Sequence, residues 1–407
     1  MLFYIDPKEV NHITSIKRPR EQTMRYILGI FLFFFGTAIY ALNPVTGNAD
    51  LSANPLSNKI GTSCAVNISN AWLDVALAID VSNKVLERDL RRLGSILSNV
   101  FDPVYIGNFF KQNTRVGLVT YNSYANTPYS FGDIANSSQL NQILHNLTAY
   151  YSPNNDGGGS DNALNNVESL FNYRRSYRGK ALIMFESSYP SWNSVPDAST
   201  LKQMGVTIIT IVDGGPNSNL SAGIGALASP GMNFSFLDPY LVQKLQHSLS
   251  MANCFCPSGY YQFNVSNQTS GIPTIYADCL YGYSGDTSPN IATQFCKPDI
   301  LVPVTSIEKL DFIIDNIIVN QMPGAKNFTT GAIKVNGNWN WQNYNTTQYL
   351  FGDFPDTSNA NGGDIGYFSN TYGFNWQFLG GGAGNADARP FICQTRAYDT
   401  DYMGDLA

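Results

Sequence analysis

Charge is scarce in this chain. Only 13% of its 407 residues are Asp, Glu, Lys or Arg, with 24 basic against 30 acidic side chains and a net charge of −6. The basic residues are scattered, with no stripe on one face, which excludes a nucleic-acid footprint. Histidine is scarcer still: His12, His145 and His247 are the only three and share no spacing. That limits triad, general-base and zinc chemistry, while leaving Asp/Glu chemistry open by count alone. No G-x-S-x-G or H-E-x-x-H occurs, and the glycine-rich stretches 157–161 and 379–386 lack the strand, Lys and Ser/Thr context of a phosphate loop. A long hydrophobic run is missing too. The 14 residues from Tyr26 to Ile39 are too few to cross a bilayer core about 30 Å thick, and no later segment is more apolar.

What is present points outside the cell. Lys17-Arg18-Pro19-Arg20 and Arg25 precede that short apolar run, and Ala41 offers a small residue for cleavage. This reads as a signal peptide over 24–41 rather than a retained anchor, with 1–23 a leader or non-native extension ahead of Met24. Residues 42–63 read as a polar linker. Asn67, Asn136, Asn146, Asn219, Asn233, Asn264, Asn267, Asn327 and Asn345 each head an N-x-S/T triplet, the acceptor pattern of a secreted glycoprotein.

Six cysteines form an even set, as an oxidising compartment favours. Six allow fifteen connectivities, so the sequence does not choose among them. Placement suggests one. Cys254 and Cys256 stand where the chain changes character, each available to a different domain. The expected pairs are Cys64–Cys254, Cys256–Cys279 and Cys296–Cys393. Closing a loop as long as the first contributes about 5 kcal/mol in the chain-entropy account.

With 43% hydrophobic residues over this length, two ordinary domains are expected. In 64–254, strand-like and helix-like stretches alternate, the pattern of an α/β fold on a mainly parallel sheet. Leu73 to Ile79 is a near-continuous apolar run ending at Asp80, as a buried central strand reads. Val85 to Val100 has helical periodicity, and 116–121, 181–185 and 206–212 are further strands. Helices are expected over 140–147, 163–171 and 241–251.

LDVALAIDVSNK, RVGLVTYNS, GGGSDNALNNV, KALIMFESS and GVTIITIVDGG, in that order, resemble the landmarks of a von Willebrand factor A domain. The resemblance implies a doubly wound, Rossmann-like α/β domain with a metal-ion-dependent adhesion site at the sheet's C-terminal edge. That site would draw on Asp80, Ser82 and Ser160. Lys84 replaces a hydroxyl ligand, however, and Glu186-Ser187 stands where an aspartate is expected. A hard cation needs its full set of oxygens, and an ammonium group repels it. The plainer expectation is therefore no resident calcium or magnesium, with Asp80 and Ser82 capping the next helix.

From Cys256 the composition turns to Tyr, Asn and Gly in short strands with many turns. A helix is expected over 307–316 behind Ser306, and strands over 329–341 and 391–393. CPSGYYQF, ILVPVTSIEKLDFI, TTGAIKVNGNWNW and RPFICQ resemble a long-form C-type lectin-like domain over 256–395. This implies an α+β fold stapled by disulfides, with 396–407 a short acidic tail. The family's inner disulfide is missing, its positions falling near Ile365 and Asn385. The candidates for a calcium-dependent sugar site, Asp356 and Asn375, lie in the triplets 354–356 and 374–376, which lack the full ligand set. Asp353, Asp364 and Asp387 lie nearby as substitutes. Trp339, Trp341 and Trp376 are expected to pack. The whole reads as a secreted, non-catalytic recognition or adhesion protein for an extracellular glycan or glycoprotein, as in innate defence. Metal-independent protein–protein adhesion and a structural matrix role are the alternatives. No nucleic-acid partner and no stable membrane anchor are expected.

Overall fold

The computed structural model describes residues 60–403 apart from 109–111, 174–175, 214–218, 267–271, 345–346, 371–372 and 374. The expected leader and signal peptide, most of the polar linker, and the acceptors Asn267 and Asn345 lie outside these residues. Two sheets organise the rest.

The first sheet has six strands: β1 (Leu73–Asp80), β2 (Arg115–Tyr121), β3 (Ala125–Tyr129), β4 (Gly179–Glu186), β5 (Val206–Val212) and β6 (Asn233–Ser235). Their order is β3-β2-β1-β4-β5-β6, parallel throughout except for the antiparallel β2–β3 hairpin. Six helices accompany them: α1 (Glu87–Phe101), α2 (Ser137–His145), α3 (Ser160–Asn172), α4 (Ser194–Gln203), α5 (Asn219–Gly225) and α6 (Leu241–Ala252). The period-2 alternation of β1 explains the two layers. Leu73, Val75, Leu77 and Ile79 enter one core with α1, α2 and α6, whereas Ala76 and Ala78 enter a second with α3 and α4. Each face of a central parallel strand is thus covered, which is why it reads as an unbroken apolar run. Gly94 of α1 lies against the backbone of α2: a Cβ there would stand 2.2 Å from the Leu144 carbonyl oxygen. Only glycine permits that approach. The doubly wound arrangement read from the sequence is the one found.

The second sheet has nine strands: β7 (Tyr261–Ser266), β8 (Pro273–Thr287), β9 (Ile300–Leu301), β10 (Asn327–Val335), β11 (Asn338–Gln342), β12 (Gln348–Leu350), β13 (Ile365–Ser369), β14 (Gln377–Gly381) and β15 (Arg389–Arg396). Its path runs β12-β11-β10-β15-β8-β7, with β13 on β10, β14 on β13, and β9 on β15. A short helix, α7 (Pro289–Phe295), and a longer helical stretch opened by α8 (Ile307–Phe312) lie beside it. Ser306 caps α8, its hydroxyl accepting from the Lys309 amide at 3.2 Å. Beyond 312 the stretch continues through a wider, π-type turn to Gln321, five residues past the expected end. Trp341, Phe328, Phe368 and Ile392 lie in this module's own core, and Trp339 is also buried there, with Trp376 against its margin.

Several expectations need correction. The strand read over 329–341 is two strands joined by a tight turn at Asn336 (φ 50°) and Gly337 (φ 83°). Two successive positive φ values require such residues, and Asn-Gly is a strong hairpin signal that the single-strand reading overlooked. The end of the expected linker is part of the fold: Thr62 accepts from the Ala277 amide at 2.7 Å, and Ser63 bridges to Tyr276. The acidic end is not a free tail up to residue 403. Asp399 is buried, accepting from the amides of Ala65 (3.1 Å), Asp401 (3.0 Å) and Tyr402 (2.9 Å).

Disulfides join Cys64 to Cys254, Cys256 to Cys279 and Cys296 to Cys393. The first two, with Ala277 and Ala397, form a small cluster where the two modules meet. Phe255 and Tyr398 exchange backbone hydrogen bonds there. Residue 255 therefore lies in a stapled seam rather than a linker.

Candidate functional site

The C-terminal ends of β1, β2 and β4 meet where open α/β sheets bind ligands. Asp80 ends β1 and is fully buried, as is Ser82. Asp80 Oδ1 accepts from the Ser82 amide at 2.9 Å, and Oδ2 accepts from the Ser187 hydroxyl at 2.5 Å. Ser82 Oγ accepts from the Lys84 amide at 3.3 Å. The expected capping role is therefore wrong. The N-cap of α1 is Leu86, with no side-chain cap bond. The loop of 81–86 is long enough to turn Asp80 and Ser82 inward onto each other and onto β4.

Ser160, at the start of α3, is also buried. Its hydroxyl lies 2.8 Å from the Ser194 hydroxyl and accepts from the Ser191 amide at 3.2 Å. Gly157, with φ +80°, brings the preceding loop against Ser82: a Cβ there would stand 2.8 Å from Ser82 Oγ. Glu186 completes the centre. Its Oε2 lies 2.9 Å from the Tyr121 hydroxyl, and its Oε1 accepts from the Ser188 hydroxyl at 2.9 Å. Burial, reinforced by the charge of Asp80, pushes the Glu186 carboxyl up to about 8. Burial and the same two acids hold the Tyr121 phenol well above its ordinary range. Sequence reasoning placed Asp80, Ser82, Ser160 and Glu186 here. It missed Ser188, Ser191 and Ser194, for which the hydroxyl-rich run after β4 was the available signal.

The donor set does not fit a divalent ion. Each Asp80 oxygen already accepts a hydrogen bond, the Ser160 hydroxyl faces other hydroxyls, and Glu186 faces Tyr121 and Ser188. Lys84 lies at the mouth, its ammonium 3.7 Å from Asp156. The Asn83 amide and Lys84 together hold Asp156 below the usual carboxylate range. Among the described residues, no three of His, Cys, Asp and Glu gather as a metal-holding group.

Around this closed centre the rim is aromatic. Trp192 is 87% exposed, Tyr124 73% and Tyr189 64%. The loop carrying Tyr124 touches Gly159, whose amide donates to the Asn122 carbonyl at 2.8 Å. The loop carrying Tyr189 and Trp192 touches Ser160 through Ser191.

The second module's candidates are less organised. Asp356 is exposed, and both its oxygens accept from Ser358, from the amide and the hydroxyl, each at 2.9 Å. The Ser358 amide, then its hydroxyl, holds this carboxyl below its ordinary value. Asn375, Asp353 and Asp364 are exposed, and Asp387 pairs with Arg389 at 2.9 Å. Of the described glycan acceptors, Asn67, Asn136, Asn146, Asn219 and Asn264 are exposed and Asn327 is half-buried. Asn233 is a poor acceptor. Its amide nitrogen donates to the Ser221 carbonyl at 3.1 Å, and its oxygen accepts from Thr210 at 2.7 Å.

Comparison with known proteins bears on the first module. Residues 74–247 match the family model of the von Willebrand factor type A domain, and they form such a domain. A curated relative, C-type lectin domain-containing protein 160 of Caenorhabditis elegans, is 24% identical over 232 residues, covering 55% of this chain and 35% of its own. The chain thus spans about a third of that relative's length. Among solved structures, proximal thread matrix protein 1 from the mussel byssus matches at 17% identity over 46% of this chain and 48% of its own, with TM-score 0.39. One structure of that mussel protein has a zinc-occupied adhesion-site motif. The von Willebrand domain of the pilus tip protein Mfa5 from Porphyromonas gingivalis matches at 12% identity over 45% of this chain and 95% of its own, with TM-score 0.35.

Proposed function

We propose that this chain is an extracellular, non-catalytic recognition and adhesion protein whose A-type module binds without a metal bridge. One observation carries the reading. The hydroxyls and carboxylates at the sheet edge satisfy one another, while Tyr124, Tyr189 and Trp192 stand exposed around them. Tyr and Trp supply large contact area at small entropic cost, so such a rim suits binding. Adhesion is the usual work of A-type domains, and three disulfides agree with life outside the cell.

For the second module we favour a C-type lectin-like fold. The supports are the ordered motifs, the Cys256–Cys279 and Cys296–Cys393 bridges, and the name of the nematode relative. A glycan or glycoprotein is the ligand class this implies, bound without calcium, since Asp356 is committed to Ser358.

The test is an array of glycans and matrix glycoproteins probed with the purified chain, once with calcium and magnesium and once with chelator. Binding that persists in chelator and falls at least tenfold in Trp192→Ala is expected. Binding abolished by chelator would defeat the metal-free reading. Hydrolytic turnover lost on changing one carboxylate would defeat the non-catalytic one.

A further inference from the structure

The largest cavity among those described lies away from both candidate sites, in the cleft between the modules. Its volume is about 830 Å³, within the span of pockets that hold small organic ligands. One wall belongs to the A-type module: Met232 and Phe234 beside β6, and Met251 on α6. The facing wall is the start of β8, with Ile272 and Ile275. The cleft is bounded by Cys64 at the disulfide seam and by the contact where Ile272 rests on Gly231, whose added Cβ would meet that side chain at 2.9 Å. Met232 and Phe234 pack in part against the first module's core, and the rest of their surface faces the cleft.

We infer that this cleft binds a free long-chain fatty acid. Its charge pattern selects the class. Among the lining residues Lys244 is the one fully charged side chain, with His247 one turn further along the same exposed side of α6. Asp238, outside the lining, pairs with Lys244 from the other side, and the Lys244 ammonium lies 5.9 Å over the Phe234 ring. The opposite wall carries no charge. One cation at the lip of an apolar trough, exchanging or sharing its partner Asp238, matches one anionic head on an apolar body. A polyanion would find no second lysine or arginine in the lining, and a sugar, though Gln243, Ser248 and Thr274 offer polar groups, would have to lie against Met232, Met251, Ile272 and Ile275. Met232 and Met251 bring flexible, polarizable side chains that adapt to a flexible alkyl chain. Since the walls come from both modules, a bound chain would also hold them together.

The experiment uses the full, delipidated chain, with cis-parinaric acid as fluorescent probe and palmitate as competitor. Palmitate is expected to displace the probe with a stoichiometry of one and to raise the melting temperature. Hexadecanol, which lacks the anionic head, and the Lys244→Gln variant should each bind at least tenfold more weakly. Thr274→Trp, at an exposed wall position, should block the cleft and abolish displacement. Should that variant fail to fold, photolabelling of the native chain by a diazirine-bearing palmitate should mark the 244–251 and 272–276 peptides. The inference is overturned if palmitate fails to displace the probe, if Thr274→Trp binds normally, or if the label lands elsewhere. Concentration-dependent dimerisation that shields the cleft from the probe would overturn it as well.

Discussion

Glu186 in the first module and Asp278 in the second are both fully buried carboxylates, held in opposite ways. Asp278 has a cation: Lys309, equally buried, donates to Oδ2 at 2.9 Å. Thr62 adds its amide at 3.2 Å, while Gln394 at 3.2 Å and Tyr344 at 3.5 Å reach Oδ1. Burial pushes the Lys309 ammonium down, and Asp278 opposes that shift. Glu186 has no cation: its partners are the Tyr121 and Ser188 hydroxyls and the Ser188 amide, with a second acid, Asp80, nearby. A charge paired in the interior fixes geometry, because either partner alone would be stranded. An acid without a cation is tolerated chiefly in its neutral form. The second network is thus a clamp, tying residue 62, β8, β15 and α8 together, while the first is a pH-sensitive centre beneath an exposed aromatic rim.

The comparison can be broken in four ways. Lys309→Met should have the largest effect, because it leaves Asp278 buried and unpaired. A loss of about 3–5 kcal/mol in chemical denaturation is expected, and adding Asp278→Asn should recover much of it. Replacing Cys64 and Cys254 together by serine should cost about 2–5 kcal/mol and lower the melting temperature under non-reducing conditions. The third test is pH. Glu186 has an ordinary value of 4.5 in the unfolded chain and about 8 in the folded one. Between those limits the folded state keeps a proton that the unfolded state has released. Its contribution is therefore fullest below about 4.5 and is lost as pH rises toward about 8. Asp213, raised by burial and by Asp89 and Asp80, adds to the same trend. Melting temperatures across this range should flatten in Glu186→Gln. The smallest effect on stability should come from Trp192→Ala, within about 0.5 kcal/mol because the side chain is exposed. Its ligand binding should nonetheless collapse.

The two modules also differ in how far their sequences could be read. In the first, β1 carries its own explanation: alternate residues feed two cores, and helices follow strands at regular intervals. Local periodicity is enough to see this. At the site, the residue types were visible, but not their pairing. Asp80 looked like a helix cap because a sequence shows the next helix more readily than the serine just past β4, 107 positions away, that it accepts from. In the second module the clamp joins residues 31 and 116 positions apart, and Asp399 reaches back 334 positions to Ala65. No local pattern announces such contacts. The β10–β11 turn is different, since Asn336-Gly337 was a local signal set aside in favour of a longer strand.

Calorimetric titration of the purified chain with magnesium, manganese and calcium tests the central claim most directly. The mutual satisfaction of Asp80, Ser82, Ser160, Glu186 and their hydroxyl partners predicts no saturable binding at any affinity tighter than about millimolar. Micromolar affinity for any of the three ions, lost in Asp80→Ala, would contradict it.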